Sequence, residues 1–307
     1  MKHAITRREA IVSLAGAAAI AALPRTHAAD AQSSSPSMNP AATPAPGHPI
    51  QHSVCKWCYK DIPIDTFARA AAKIGLQSVE LLDPPDWPVI RKYGLTCAMA
   101  NYPTGKTPQG VSVGGIGKAW NRLEHHDTLV AAYETRINEA ADAGLKNLIC
   151  FSGNREGMDD QQGLENCAIG LKRILPLAEK RRITIAMELL NSKVNHKDYM
   201  CDRTAWGVEL AKRIGSDHFK LLYDIYHMQI MEGDVIRTIQ ENHAYIAHYH
   251  TGGNPGRHEI DETQELYYPA IMRAIKATGF DGFVAQEFIP QRDPLTSLAE
   301  AVKLCTV

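Results

Sequence analysis

The stretch from residue 184 to residue 250 contains three short apolar runs that carry polar side chains at or near their ends: TIAMEL at residues 184–189, KLLYD at residues 220–224 and IAHYH at residues 246–250. Segments long enough to form helices separate these runs. Strands that alternate with helices in this way pair in parallel. The stretch therefore predicts part of a parallel sheet in which each strand is followed by a helix.

The same alternation continues on both sides of this stretch. Five further strands are predicted at residues 53–58, 78–82, 96–100, 147–151 and 282–287. Apolar side chains with helical spacing lie between strands, for example at Ile64, Phe67, Ala71 and Ile74. Eight strand–helix units in 307 residues favour a single-domain α/β fold, the (β/α)8 TIM barrel, which typically needs roughly 250 residues. An open doubly wound sheet is the alternative, although no G-x-G-x-x-G turn follows the first strand.

The N-terminal residues differ in composition from the rest of the chain. Arg7 and Arg8 precede a short alanine-rich apolar run, and this pattern predicts a twin-arginine-type signal peptide at residues 1–29. A buried N-terminal helix is the alternative. Residues 30–50 are rich in Ser, Pro and Ala and predict a disordered linker, which leaves residues 51–307 for the barrel.

The signal and the overall charge set expectations for location and partners. We expect export to the periplasm or cell envelope. The apolar run is shorter than the about 20 residues that cross a bilayer, so no stable membrane span is expected in the mature chain. Lys and Arg number 33 and Asp and Glu number 34, so no basic surplus exists and no nucleic-acid partner is expected. The sequence does not determine the oligomeric state and is compatible with a homo-oligomer.

The seven cysteines do not predict a disulfide framework, because their number is odd and they are scattered along apolar segments. Cys55 and Cys58 form a C-x-x-C pattern that also invites a redox or zinc interpretation. In a strand at residues 53–58 these two residues would point to opposite faces and lie about 10 Å apart. A disulfide needs Cα atoms within about 7 Å. We therefore predict two buried strand thiols.

Four consecutive predicted strands each deliver a metal-competent side chain at the same end of the barrel. In strand order these residues are Glu188, Asp224, His250 and Glu287. Each one alone is also compatible with a helix cap or a surface ion pair, but TIM barrels carry their chemistry at this end. Three converging carboxylates repel one another unless they are protonated or a cation neutralises them. Oxygen-rich ligation with one imidazole predicts a divalent cation, with Mn²⁺ or Mg²⁺ favoured and Co²⁺ as the next choice.

Two motifs in the second half of the chain carry a family resemblance. Residues 222–229, LYDIYHMQ, resemble the D-x-x-H segment of the hydroxypyruvate isomerases, and residues 255–259, PGRHE, resemble a second segment of the same enzymes. VELL at residues 79–82 and QEFIP at residues 286–290 are also similar. The resemblance spans about residues 52–304. It implies membership in the xylose isomerase-like TIM barrel superfamily, which also contains tagatose 3-epimerases.

The resemblance implies roles for particular residues. It implies that Glu188, Asp224 and Glu287 hold a divalent cation and that His227 and Arg257 contact substrate oxygens. At the remaining ligand position typical hydroxypyruvate isomerases have glutamine, whereas this chain has His250, which is similar to the epimerase branch. Glu80, at the end of the second predicted strand, is expected to bond either a substrate hydroxyl or a neighbouring lysine.

The resulting hypothesis is a metal-dependent isomerase of the hydroxypyruvate isomerase type. It interconverts a 2-hydroxy aldehyde and a ketone through an enediol, with Glu188 and Glu287 as the acid/base pair and a sugar or keto acid as substrate. A sugar 3-epimerase or a dehydratase of the same superfamily is an alternative, as is an exported sugar-binding barrel that has lost catalysis. A zinc-cluster endonuclease would need more histidines at the strand ends and a basic face, and the sequence predicts neither.

Overall fold

The computed structural model describes residues 48–307. The predicted signal peptide and residues 30–47 of the predicted linker lie outside these described residues. Within residues 48–307 no helix combines the length and apolar character needed to cross a membrane.

Six parallel strands form the main sheet, and a short antiparallel hairpin of two further strands lies in the loop after residue 100. In chain order the strands are β1 Gln51–Val54, β2 Gly105–Lys106, β3 Ser112–Val113, β4 Asn147–Cys150, β5 Thr184–Glu188, β6 Phe219–Asp224, β7 Ile246–Thr251 and β8 Phe283–Gln286. The hairpin consists of β2 and β3. Strand β1 pairs with β8, and the parallel pairing continues through β7, β6 and β5 to β4.

Two extended segments close the ring between β1 and β4. They occupy the predicted second and third strands, but they bond to their neighbours only through isolated bridges. The amide of Glu80 donates to Val54 O at 2.9 Å, that of Val79 to Thr96 O at 3.1 Å, and that of Ala100 to Asn147 O at 2.9 Å. The ladder is therefore continuous around the barrel. The TIM barrel prediction is confirmed, and the open doubly wound alternative is wrong.

Helices cover the outside of the barrel. They are α1 Ile64–Ile74, α2 Trp87–Arg91, α3 His126–Asp142, α4 Asp160–Arg181, α5 Thr204–Ile214, α6 Ile225–Met231, α7 Val235–Asn242, α8 Tyr268–Ala277 and α9 Pro294–Cys305. Helix α1 shows why the sequence pattern works, because Phe67 and Ala71 are fully buried on one face. It stops at Gly75, whose φ of 102° suits a residue without a Cβ.

The predicted first strand at residues 53–58 is too long at its C-terminal end. Strand β1 stops at Val54, and a 3-10 turn follows at Lys56–Tyr59. The turn is held by the amide of Cys58, which donates to Cys55 O at 3.4 Å. Both cysteines are free thiols as predicted, but Cys58 is only partly buried and neither belongs to a regular strand.

Candidate active site

Four buried side chains converge at the C-terminal end of the barrel. Glu188 is the last residue of β5, Asp224 ends β6, His250 lies near the end of β7, and Glu287 follows β8. One ligand atom from each residue lies within 4.8 Å of the others. All four residues are 5% exposed or less. The structure thus brings together the four residues that the sequence nominated as metal ligands.

Hydrogen bonds to backbone atoms fix the positions of these strand ends. Asp224 is the N-cap residue of α6. Its Oδ1 accepts a hydrogen bond from the His227 amide at 3.1 Å. The Tyr199 hydroxyl donates to the carbonyl oxygen of Glu188 at 2.9 Å. The Glu287 amide donates to Thr251 O at 3.1 Å, which continues the β7–β8 pairing by one residue. The side chains therefore leave backbone that hydrogen bonds hold at the strand ends.

Glu80 orients the imidazole of His250 through the ring nitrogen that faces away from the cluster. Its Oε1 lies 2.9 Å from Nε2 of His250 and 2.8 Å from Nε2 of His248. Burial opposes ionisation of Glu80, but the charge and hydrogen bond of His248 and the hydrogen bond of His250 outweigh it and lower its pKa to about 2. The carboxylate accepts, so Nε2 of His250 donates, and Nδ1 faces the other carboxylates.

The structure therefore corrects the expectation for Glu80. This side chain is fully buried and does not line the cavity above the cluster, and it bonds two histidines instead of a substrate hydroxyl or a lysine. No local spacing predicts this contact, because Glu80 and His250 are 170 residues apart in the chain.

Arg257 lies against the cluster. Its Nη2 atom is 3.2 Å from Oδ2 of Asp224 and 2.5 Å from Oε2 of Glu287. The guanidinium carbon lies 5.2 Å from the ring centre of Trp57 and 5.4 Å from that of Tyr226. The resemblance implied a substrate contact, and Arg257 does line the cavity. In addition it pairs with two of the candidate metal ligands.

The two glutamates have pKa values shifted in opposite directions. Burial, with the charge of Glu287 adding to it, raises the pKa of Glu188. Burial also opposes ionisation of Glu287, but Arg257 and His250 outweigh it and hold its pKa well below the usual range. Burial raises the pKa of Asp224 to about 8 although Arg257 lies beside it. Carboxyl groups in one site with such divergent environments are typical of acid/base pairs.

The residues present fit a divalent cation. Oε1 of Glu188 and Nδ1 of His250 are buried without a hydrogen-bond partner within residues 48–307, although buried polar atoms are normally paired. Both atoms point into the cluster, where Nδ1 of His250 lies 3.3 Å from Oε1 of Glu188 and 2.7 Å from Oε2 of Glu287. Carboxylate oxygens and one imidazole suit Mn²⁺, Mg²⁺ or Co²⁺. Three carboxylates, one guanidinium and one divalent cation carry no net charge together.

His227 stands beside the cluster on α6. Its ring is fully buried, and its Nε2 atom lies 3.6 Å from Oδ2 of Asp224. Burial, together with the nearby charge of Arg257, lowers its pKa well below the usual range, so the ring is neutral. The structure thus places His227 next to the candidate metal ligands, whereas the substrate contact that the resemblance implied stays a prediction, because this ring is not among the residues that line the cavity above the cluster.

A cavity of about 380 Å³ opens above the cluster. Glu188, His196, Arg257 and Glu287 form its polar side, and the other lining residues are Trp57, Leu81, Asn101, Tyr102, Ile116, Ile149, Phe151 and Leu190. The indole nitrogen of Trp57 donates to Oε1 of Glu287 at 2.7 Å. Sequence reasoning missed Tyr102, Phe151 and His196, which lie in loops or at a strand end without a distinguishing motif.

A larger cavity of about 580 Å³ lies between residues 259–269 and helix α9. None of the four cluster residues lines it. We assign the chemistry to the smaller cavity, because the buried titratable groups with shifted pKa values converge there.

Comparison with known proteins identifies the family. Residues 68–305 match the family model described as xylose isomerase-like TIM barrel. The chain belongs to this family. The 2-oxo-tetronate isomerase of Cupriavidus necator is 32% identical over 128 residues, which cover 42% of this chain and 47% of that enzyme. The hydroxypyruvate isomerase of Escherichia coli is 28% identical over 231 residues, which cover 72% of this chain and 86% of that enzyme.

A solved structure agrees with the fold. The AP endonuclease, family 2, from Brucella melitensis superposes with a TM-score of 0.73 at 23% identity, covering 83% of this chain and 99% of that chain. At this identity the likeness concerns the fold alone.

The relatives named above carry isomerase names, and they confirm the predicted membership in the hydroxypyruvate isomerase-like group and the enzyme class.

Proposed function

We propose that this family member is a divalent-metal-dependent isomerase that interconverts a 2-hydroxy aldehyde and a ketone by proton transfer between adjacent carbons. The observation that carries the proposal is the convergence of Glu188 and Glu287 on one cavity together with Asp224 and His250. A protein that only binds sugars has no need for two carboxyl groups with oppositely shifted pKa values at the ligand.

Glu188, Asp224, His250 and Glu287 would hold the cation, with Mn²⁺ or Mg²⁺ favoured and Co²⁺ as the next choice. When bound, the cation supplies a Lewis acid that polarises the substrate carbonyl. Glu80 fixes the ring of His250, and Arg257 balances the remaining negative charge of Asp224 and Glu287.

The proton transfer is assigned to Glu188 and Glu287. One carboxylate removes the proton from the hydroxyl-bearing carbon, and the electron pair of that C–H bond forms the enediol double bond while the carbonyl oxygen gains a proton. The second carboxyl group, or the same one, then returns a proton to the former carbonyl carbon, while the hydroxyl on the neighbouring carbon loses its proton and becomes the new carbonyl. Arg257, which lines the cavity, is placed to bond a substrate oxygen during this transfer, and the buried His227 ring lies beside Asp224.

The relatives named for hydroxypyruvate and 2-oxo-tetronate favour a keto acid as substrate. Within the described lining of the cavity, Arg257 is the side chain that can bind a carboxylate with two parallel hydrogen bonds.

A neutral-sugar 3-epimerase or dehydratase is the second candidate. Arg257 already pairs with Asp224 and Glu287, which leaves less of its charge for a substrate carboxylate. Tyr102 and Phe151 add an apolar wall that suits the carbon-bound face of a sugar. His250 occupies the fourth ligand position, where it is similar to the epimerase branch, and this also favours the second candidate.

Metal analysis followed by a substrate screen in D₂O tests the proposal. Purified protein is loaded with Mn²⁺, Mg²⁺ or Co²⁺ and incubated with hydroxypyruvate and with neutral ketoses, and NMR follows both product and the exchange of the carbon-bound proton. Isomerised product from hydroxypyruvate supports the first candidate, and exchange confined to ketoses supports the second. Absence of product and of exchange with every substrate and metal would reject both.

A further inference from the structure

Asn191 lies three residues beyond the end of β5 and is fully buried. Its side-chain amide uses all of its hydrogen-bonding capacity. Oδ1 accepts from the amides of Val194 at 3.0 Å and Asn195 at 2.8 Å. Nδ2 lies 2.7 Å from Oδ1 of Asn195 and 2.6 Å from Nδ1 of His227. A loop residue is thus linked directly to the histidine beside the candidate metal ligands.

The backbone partners determine which way the Asn191 amide faces. Backbone N–H groups only donate, so the atom that faces Val194 and Asn195 must be the amide oxygen. The opposite orientation would place an NH₂ group against two donors. The amide nitrogen therefore faces His227, and because an amide nitrogen only donates, Nδ1 of His227 must accept.

We propose that Asn191 is a positioning residue that holds His227 in the tautomer with its proton on Nε2, so that the ring presents one N–H donor to the active site. Nε2 is buried, has no hydrogen-bond partner within residues 48–307 and lies 3.6 Å from Oδ2 of Asp224. Buried donors in folded proteins are nearly always paired. The unpaired N–H therefore faces the candidate metal ligands, where an oxygen bound at the cluster would accept from it.

This arrangement defines the chemistry of His227. A ring that accepts at Nδ1 and donates at Nε2 stabilises negative charge on a substrate oxygen and does not remove a proton from carbon. Asn191 also shapes the loop, since its carbonyl oxygen accepts from the amide of His196 at 3.0 Å and His196 lines the cavity. The effect on turnover rests on the proposed function, whereas the tautomer does not.

The first experiment determines the tautomer directly. NMR of the full-length protein carrying ¹⁵N-labelled histidine distinguishes protonated from bare ring nitrogens, and comparison with His227→Gln assigns the signals of this ring. We expect a bare Nδ1 and a protonated Nε2. A proton on Nδ1 of the wild-type ring, with or without one on Nε2, overturns the proposal.

The second experiment removes only the donor. Asn191→Asp keeps an acceptor for the two backbone amides but replaces the donor to His227 by an oxygen. We expect the proton to move to Nδ1 and kcat to fall about a hundredfold, as for the loss of one well-placed donor, with a smaller change in KM. An unchanged His227 spectrum in a variant that has the wild-type circular dichroism overturns the proposal.

Asn195→Asp is the matched control. It adds the same charge to the same loop, and it keeps the oxygen that accepts from Asn191 and from the Tyr226 hydroxyl at 2.9 Å. We expect the wild-type tautomer and activity close to wild type; loss of the tautomer here overturns the assignment to the Asn191 donor. If the wild-type ring has the expected tautomer but no substrate reacts, the proposed function fails and the positioning role stands.

Discussion

Nε2 of His250 lies 2.9 Å from Oε1 of Glu80, although 170 residues separate the two in the chain. This contact joins the second predicted strand segment to β7 across the interior of the barrel. It commits the Nε2 proton of His250 to a carboxylate and leaves Nδ1 facing Glu188 and Glu287. Carboxylate–histidine pairs of this kind orient metal-binding histidines and raise their basicity.

We therefore expect Glu80→Gln to weaken Mn²⁺ binding by roughly ten- to a hundredfold while the barrel stays folded. The amide cannot supply the negative charge that both histidines contact. Equilibrium dialysis measures the dissociation constant. Ser53→Ala is the control, because Ser53 bonds Glu80 at 2.5 Å but not His250. An unchanged Mn²⁺ affinity in Glu80→Gln would show that Glu80 does not support a metal ligand.

Asp224→Ala and His250→Ala are each expected to lower the metal content of the purified protein. Both residues contribute an atom to the cluster whose members lie within 4.8 Å of one another. Elemental analysis after dialysis is the measurement. His258→Ala serves as the control histidine, since its Nδ1 lies 3.1 Å from Ile289 O and it is not part of the cluster. Full metal occupancy in both test variants would remove these residues from the ligand set.

Glu188→Gln and Glu287→Gln are each expected to reduce turnover by about 10²-fold or more while the protein remains folded. Each change removes a proton carrier and a negative charge from the cavity. Steady-state kinetics at saturating metal, with circular dichroism of both variants, provides the measurement. A variant that binds metal and keeps a near wild-type kcat contradicts the acid/base assignment for that residue.

The fold was largely predictable because the apolar runs are short and alternate with helices, some of which stop at a glycine such as Gly75 or Gly215. The runs at residues 184–189 and 246–250 correspond closely to β5 and β7. The predicted first strand failed beyond Val54, because Cys58 and Tyr59 have strand-like composition but the chain turns at the barrel mouth. The segment at residues 78–82 shows only isolated bridges, a distinction that depends on its neighbours and not on its own residues.

The candidate site was predictable to the extent that it depends on position along a strand. Glu188 and Asp224 stand at strand ends, so parallel pairing brings them together. The hydrogen bond between Glu80 and His250 and the hydrogen bond between Asn191 and His227 join side chains that are far apart in the sequence. No local spacing encodes such contacts, and only the closed barrel shows them.

Arg257→Lys is expected to raise KM more for a carboxylate-bearing substrate than for a neutral ketose. Lysine keeps the charge but loses the planar pair of donors, and a charged hydrogen bond contributes about 1.5–3 kcal/mol, roughly ten- to a hundredfold. Parallel kinetics with hydroxypyruvate and a ketose give the comparison. Equal changes for both substrates would indicate that Arg257 acts mainly through its pairs with Asp224 and Glu287.

Export is the remaining prediction, and it depends on residues outside the described part of the chain. We propose that the protein crosses the membrane already folded, with its metal acquired in the cytoplasm. Arg7 and Arg8 before a modestly apolar run resemble the signal of the folded-protein export route. Divalent-metal affinity rises towards copper and zinc, so a chain that folded outside the cytoplasm would be exposed to the wrong ions. The free cysteines fit this order of events, because all except Cys58 are buried in the finished barrel and shielded from oxidation.

Replacing Arg7 and Arg8 by lysine tests the export route. The change keeps the positive charge and the apolar run, so an ordinary unfolded route would tolerate it, whereas the folded-protein route depends on the arginine pair. We expect the variant to accumulate inside the cell as folded, metal-containing protein, measured by cell fractionation, immunoblotting and elemental analysis. Wild-type protein in the same strain is the control for export. Undiminished export of the lysine variant would show that the chain leaves the cytoplasm unfolded, and the inference of cytoplasmic metal loading would then be wrong.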